Sequence, residues 1–174
     1  FTGSTPTALK IRATMAENCD PGTPLIAETG GLNAMIVDST ALPEHAVRDI
    51  LQSAFQSAGQ RCSALRCLYV QEDVAEKVIH MLKGAMNELR MGDPWHLTTD
   101  VGPVIDETAR QGIQDHIDAA RTDGRVIHAL VAPDTGTFVA PTAIKVNGIA
   151  DLTREIFGPV LHIATYKSGD LDKI

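Results

Sequence analysis

Cysteine is scarce in this chain. Three residues, Cys19, Cys62 and Cys67, do not amount to a disulfide framework. They fit a reducing compartment, and the expected localisation is cytoplasmic. No apolar run approaches the length that spans a bilayer, and no signal peptide opens the chain, so membrane binding is not expected. Positive charge is in deficit. Fifteen Lys and Arg stand against 22 Asp and Glu, a formal charge of -7, which argues against nucleic acid as a partner. Repeats, low-complexity tracts and zinc-type Cys/His spacings are missing, so no metal site is expected. The chain also starts at Phe1 without Met and stops at Ile174 inside a polar segment, which reads as a piece of a longer protein.

What is present suits an ordinary α/β domain. Hydrophobic residues make up 44% and charged residues 21% of 174, enough to bury a core without staples. Short apolar runs alternate with amphipathic stretches. Strands are expected at Leu25–Ala27, Ala34–Val37, Leu65–Val70, Val126–Val131 and Pro159–Tyr166, with short extended pieces at Phe138–Ala140 and Ala143–Val146 around Pro141. Pro43 opens a helix to about Ser57, with Ala46, Val47, Ile50, Leu51, Ala54 and Phe55 at helical spacing and Gly59 closing it. Asp73 is expected to cap a second helix to about Leu89. A third follows Asp106 and stops before Gly124. Strands joined by helices predict a mostly parallel sheet with helices on both faces, a three-layer αβα arrangement.

Three clusters could carry chemistry. Gly59-Gln60-Arg61-Cys62-Ser63 lies between a helix end and a strand, where a cysteine can project into a cleft. The thiolate is the reactive form, so such a site needs a base nearby or a setting that favours ionisation. A cysteine taken alone is more often a buried structural residue. Cys67, inside the apolar strand, is read that way, and Cys19 is assigned nothing. Glu28 ends an apolar run just before Thr29-Gly30-Gly31, where close backbone approach is possible; alone it could be a solvated strand-end carboxylate. Glu155-Ile156-Phe157-Gly158-Pro159 sets a carboxylate and a ring before a Gly-Pro turn, and alone could be an ordinary loop with Phe157 in the core.

In order and spacing these clusters resemble the aldehyde dehydrogenase superfamily. Glu-x-Gly-Gly-x-Asn runs from Glu28 to Asn33. Gly-Gln-x-Cys runs from Gly59 to Cys62, 34 positions after Glu28 (62 − 28). Glu-x-Phe-Gly-Pro runs from Glu155 to Pro159, Phe-Thr-Gly-Ser-Thr from Phe1 to Thr5, and Gly102-Pro103 with Ile105 is similar to an internal family segment. Gly59 to Arg66 and Glu28 to Ala34 are most similar to the Δ1-pyrroline-5-carboxylate dehydrogenases, in particular those fused to proline dehydrogenase in bacteria.

The resemblance implies an aldehyde-dehydrogenase-like fold, with residues 1–24 as the end of an NAD-binding domain and 25–174 as a catalytic domain incomplete at its C-terminus. It implies Cys62 as nucleophile, Glu28 as general base and the Cys62 N–H as one oxyanion donor. Gly3, Ser4, Glu155 and Phe157 would contact the cofactor, and Ser63 the substrate carboxylate. The reaction implied is oxidation of glutamate semialdehyde to glutamate in proline catabolism, through a Cys thioester, with NAD as cofactor and NADP as the alternative. Any FAD would belong to a fused proline dehydrogenase domain outside this chain. The partners implied are a small aldehyde, the rest of the parent chain and a second copy of the parent in a homo-oligomer. The isolated chain is expected to be inactive, because the second oxyanion donor, the adenosine-binding strands and the substrate-carboxylate loop of the family lie outside it. Another aldehyde, such as succinate semialdehyde, and a non-catalytic structural module are the alternatives.

Overall fold

Leu65–Gln71 is a seven-residue run with every residue buried, the pattern of a strand covered on both faces of a parallel sheet. In the computed structural model, which describes residues 1–174, this strand (β2) lies inside the sheet, paired on both edges. The others are β1 (Asn33–Val37), β3 (Val126–Ala129), β4 (Thr142–Lys145) and β5 (Val160–Tyr166), in the order β1-β2-β5-β4-β3. All neighbours are parallel except β3, which pairs antiparallel with β4 at the edge. Four helices accompany them: α1 (Thr5–Asn18), α2 (Pro43–Phe55), α3 (Glu72–Asn87) and α4 (Glu107–Thr122).

The chain divides into two compact units, Phe1–Gly31 and Leu32–Ile174. Their boundary lies seven residues beyond the expected division after residue 24 (31 − 24). The first unit holds α1, which the sequence reading missed. Ser4 caps it, its hydroxyl accepting from Thr7 N–H, and Pro6 sits in the first turn. Only Ala8 is buried along it, so no apolar stripe marks it in the sequence. Cys19, read as a loop residue, is its C-cap. Leu25–Ala27 is not a strand. Its backbone runs beside Phe1–Gly3 through one isolated parallel bridge, Thr2 with Glu28, and Ile26 is 74% exposed. One three-residue neighbour does not make a sheet, and hydrophobicity alone could not reveal that.

In the second unit, α2 buries Val47, Ile50, Ala54 and Phe55, and α3 buries Ala75, Val78, Leu82 and Met86. These pack with Leu68, Val70, Leu161 and Ile163 on one sheet face. Strand side chains alternate, so His162, between Leu161 and Ile163, points to the opposite face. There it meets His116 of α4, so helices lie on both sides of the sheet. On that face Cys67, Tyr69, Ala164 and Tyr166 pack with Val146 and Leu152 in a second cluster.

Two local expectations need correction. Helix α3 begins at Glu72 with Gln71 as its cap residue; the Asp73 carboxylate, two positions past the cap, accepts instead from Gln71 Nε2 at 2.6 Å. Strand β3 stops at Ala129, because Val131 is 91% exposed and has no core to enter. Of the two extended pieces around Pro141, the second joins the sheet as β4 and Phe138–Ala140 stays outside it, with Val139 buried. Asp106 does cap α4, accepting from Ala109 N–H at 2.7 Å.

Candidate active site

The segment that carries Cys62 leaves α2 through an unusual turn. Ser57, Ala58 and Gly59 are all left-handed, with φ of 57°, 53° and 66°. For Ser57 and Ala58 this costs about 1–2 kcal/mol each. Glycine is required at the third position for a further reason. A Cβ there would stand 2.2 Å from the Gly158 carbonyl oxygen and 2.9 Å from that of Ala54. Gly59 thus lets the Cys62 segment lie directly against the Glu155–Pro159 segment. The turn is fixed further by Gln60. Its Oε1 accepts from Ile105 N–H at 2.8 Å, and its Nε2 donates to the carbonyls of Ser57 and Pro103.

Cys62 and Ser63 then occupy the two central positions of a β-turn closed by Ala64 N–H donating to the Arg61 carbonyl at 3.0 Å. Both are exposed and stand at the mouth of β2. Asn33, at the start of β1, clamps this turn. Its Nδ2 donates to the Cys62 carbonyl at 2.7 Å and to the Ala64 carbonyl at 2.9 Å. Carbonyls only accept, so the amide orientation is fixed by its partners. Asn33 was visible in the sequence as the last residue of Glu-x-Gly-Gly-x-Asn, but not its duty. Cys67, by contrast, is buried, and burial pushes its thiol up. An uncharged thiol inside a sheet is a packing residue.

Arg66 is the second residue the sequence reading passed over. Its side chain is fully buried beneath the turn. Nε and Nη2 donate to Glu155 Oε1 at 3.2 and 3.0 Å, Nη1 donates to the Gly158 carbonyl at 3.1 Å, and Nη2 also reaches the Arg61 carbonyl at 3.3 Å. Burial lowers the Arg66 pKa, while the Glu155 carboxylate opposes that shift; guanidinium stays charged throughout the working range. Phe157, expected in the core or against a cofactor, is 44% exposed, with the Arg66 guanidinium 5.4 Å from its ring centroid. A cleft of about 210 Å3 opens here, lined by Gln60, Ile105, Thr108, Glu155, Ile156 and Phe157. The structure therefore brings Cys62, Ser63, Glu155 and Phe157 to one end of the sheet.

Glu28, Gly3 and Ser4 come together in the other unit. Gly3 N–H donates to the Glu28 carbonyl at 3.0 Å, and Glu28 N–H to the Phe1 carbonyl at 2.9 Å. Glu28 is exposed, its carboxylate making no hydrogen bond within the chain. Ser4 adjoins it at the N-terminus of α1, where backbone N–H groups favour anions. No group of three or more His, Cys, Asp or Glu is placed to hold a metal ion.

Behind Arg66 lies a histidine pair. His162 Nδ1 is 2.9 Å from the Arg66 carbonyl, and its Nε2 is 2.8 Å from His116 Nε2. The carbonyl can only accept, so Nδ1 carries the proton, neutral His162 accepts at Nε2, and His116 donates. Burial, followed by the positive charges of His116, Arg66 and Arg125, lowers the His162 pKa to about 4, against the Arg66 carbonyl bond, which favours the charged form. His116 is lowered as well, by burial and by Arg125 and Arg154. A histidine depressed from 6.5 to about 4 binds its proton more weakly folded than unfolded, so stability is lost as pH falls through that window. The loss from His162 should approach about 3 kcal/mol near pH 4. In urea unfolding between pH 7 and pH 4, His162→Asn, which keeps a donor for the Arg66 carbonyl but cannot titrate, should show a clearly flatter decline than wild type. Parallel declines would exclude His162 as the source.

The aldehyde dehydrogenase family model matches residues 1–172. The whole chain is 52% identical to bifunctional protein PutA of Klebsiella aerogenes and covers 14% of it. Over 99% of its length it is 36% identical to the 1-pyrroline-5-carboxylate dehydrogenase of Geobacillus thermodenitrificans, covering 34% of that protein. A variant of proline utilization A from Bradyrhizobium japonicum matches in structure with a TM-score of 0.95 and 51% identity, over 99% of this chain and 18% of that one. Betaine aldehyde dehydrogenase from Staphylococcus aureus, in complex with NAD+, gives a TM-score of 0.87 at 29% identity, over 97% of this chain and 34% of that one. The chain thus spans a seventh to a third of the length of these relatives. It belongs to the aldehyde dehydrogenase family.

Proposed function

We propose that the protein carrying this chain oxidises glutamate semialdehyde, the open form of 1-pyrroline-5-carboxylate, to glutamate with NAD, in proline catabolism. The observation that carries the reading is the pairing of about 50% identity to PutA proteins over the full chain with an exposed Cys62 on a pinned turn. The Cys62 thiolate attacks the aldehyde carbon, and the Cys62 N–H stabilises the oxyanion that forms. Bound nicotinamide supplies a hydride acceptor. Glu28 takes a proton from water as that water attacks the thioester carbon; the S–C bond breaks, glutamate leaves and the thiolate returns.

The residues here suit such a cofactor. Glu155 Oε1 is occupied by Arg66, while Oε2 has no partner in the chain and can accept from a ribose hydroxyl. Phe157 offers an exposed ring face beside it. Gly3 and Ser4, at the positive end of α1, would face the pyrophosphate. Ser63, exposed next to the nucleophile, would donate to the substrate carboxylate. Any FAD would belong to a fused proline dehydrogenase domain outside this chain, and the parent protein would act as a homo-oligomer in the cytoplasm. No helix in this chain is long and apolar enough to cross a membrane.

The test is an assay of the full-length protein on glutamate, succinate and uncharged semialdehydes with NAD and with NADP. Glutamate semialdehyde with NAD should give the highest kcat/KM, and Ser63→Ala should lower it by about tenfold or more, the scale of one hydrogen bond to a charged group. A clear preference for succinate semialdehyde, or for NADP, would overturn the assignment at that point. Absence of any aldehyde oxidation would favour the structural-module reading.

A further inference from the structure

Arg66 heads the fully buried side chains by volume. Burying a guanidinium is costly unless its donors are met, and here they are met by three acceptors from two segments, one five positions before Arg66 and the other 89 to 92 positions after it. The Arg61 carbonyl belongs to the nucleophile turn, the Glu155 carboxylate to the proposed ribose contact, and the Gly158 carbonyl to the backbone that Gly59 touches. A trans peptide points its C=O and N–H in opposite directions. The Arg61 carbonyl is turned inward by two donors, Ala64 N–H and Arg66 Nη2. The N–H on the other side of that peptide, belonging to Cys62, is thereby aimed away from the guanidinium, towards the exposed side of the turn. The same planar group holds Glu155 by one oxygen only and lies over the Phe157 ring.

We infer that Arg66 is a positioning residue that couples the two halves of the site, fixing with one rigid fork both the aim of the Cys62 N–H and the pose of Glu155 and Phe157. This rests on the functional reading above, in which Cys62 is acylated and Glu155 and Phe157 hold the dinucleotide. Lysine cannot substitute, because a single ammonium lacks the fixed fork that reaches all three acceptors.

The two halves can be read separately in the full-length protein. Acylation of Cys62 by p-nitrophenyl acetate, without dinucleotide, reports on the turn: an S–C bond forms, and p-nitrophenolate leaves with its electron pair. The KM for NAD in aldehyde oxidation reports on Glu155 and Phe157. Arg66→Lys should slow acylation and raise the KM for NAD, each by about tenfold, as for one lost charge-assisted hydrogen bond. Leu82→Ala, which opens a core cavity in α3 away from the site, should lower Tm while moving both kinetic values by less than about twofold. An Arg66→Lys protein with a lower Tm and unchanged kinetics would reduce Arg66 to a structural residue; a change in one half only would overturn the coupling. Glu155→Asp gives a second test with Arg66 in place. Drawing the carboxylate back by one methylene should loosen the fork and slow acylation severalfold, although Glu155 lies outside the nucleophile turn. Acylation at the wild-type rate in Glu155→Asp would sink the coupling even if Arg66→Lys failed to fold. Wild-type protein inert in both reactions would instead overturn the functional reading on which the inference rests.

Discussion

Cys62→Ala in the full-length protein should lower aldehyde turnover by about a thousandfold or more, because without the thiolate no covalent intermediate can form. Cys67→Ala should keep most of the activity. The contrast is sharp because the two thiols are only five positions apart (67 − 62) yet differ in every physical respect. Cys62 is exposed at the tip of a turn whose two carbonyls are held by Asn33. Cys67 is fully buried in β2 opposite His162 of β5, and burial disfavours its charged form. The measurement is steady-state NADH formation, with circular dichroism melting to show that both variants are folded. Substantial turnover in Cys62→Ala would remove the nucleophile from the account.

Glu28→Gln should change the shape of the progress curve rather than only its height. The side chain keeps its size and loses its ability to take a proton from water. Acylation and hydride transfer would proceed once, the thioester would accumulate, and NADH should appear as a burst of about one equivalent per site followed by turnover slowed about a hundred- to ten-thousandfold. Rapid-mixing absorbance distinguishes this from a general loss of activity, which lowers burst and steady state together. A steady-state rate equal to wild type would mean that another group activates the water.

How much of this was legible in the sequence depended on how local its physical cause was. Helices α2, α3 and α4 declare themselves by apolar residues at helical spacing, and the cap at Asp106 by a side chain at a recognisable position. The strand β2 is legible as an apolar run bounded by polar turns. Helix α1 was not, because it buries almost nothing. Leu25–Ala27 misled for the opposite reason: its apolar run is real, but a strand also needs neighbours, which no local pattern reveals. The antiparallel edge strand β3 is likewise a fact of pairing, not of periodicity.

The site divides in the same way. Cys62, Glu28, Glu155 and Phe157 were singled out by motif and order along the chain. The groups that hold the Cys62 turn were not. Asn33 reaches across 29 positions to the Cys62 carbonyl, and Arg66 across 89 to Glu155. In the sequence Arg66 reads as a charge at the start of an apolar strand, a place where a solvated side chain would be the ordinary expectation. Only the packing of β2 between its neighbours turns that charge inward and makes the carboxylate obligatory. The left-handed run at Ser57 and Ala58 is equally silent, since neither residue type announces it.

The central claim, that Cys62 carries the acyl group, is tested most directly by mass spectrometry of a trapped intermediate. Full-length Glu28→Gln protein is mixed with glutamate semialdehyde and NAD, quenched in acid during the burst, and digested. The account predicts one glutamyl thioester per site, on the peptide that contains Cys62, with Cys19 and Cys67 unmodified. NADH formation with no adduct on Cys62, or with the adduct on either other cysteine, would contradict it.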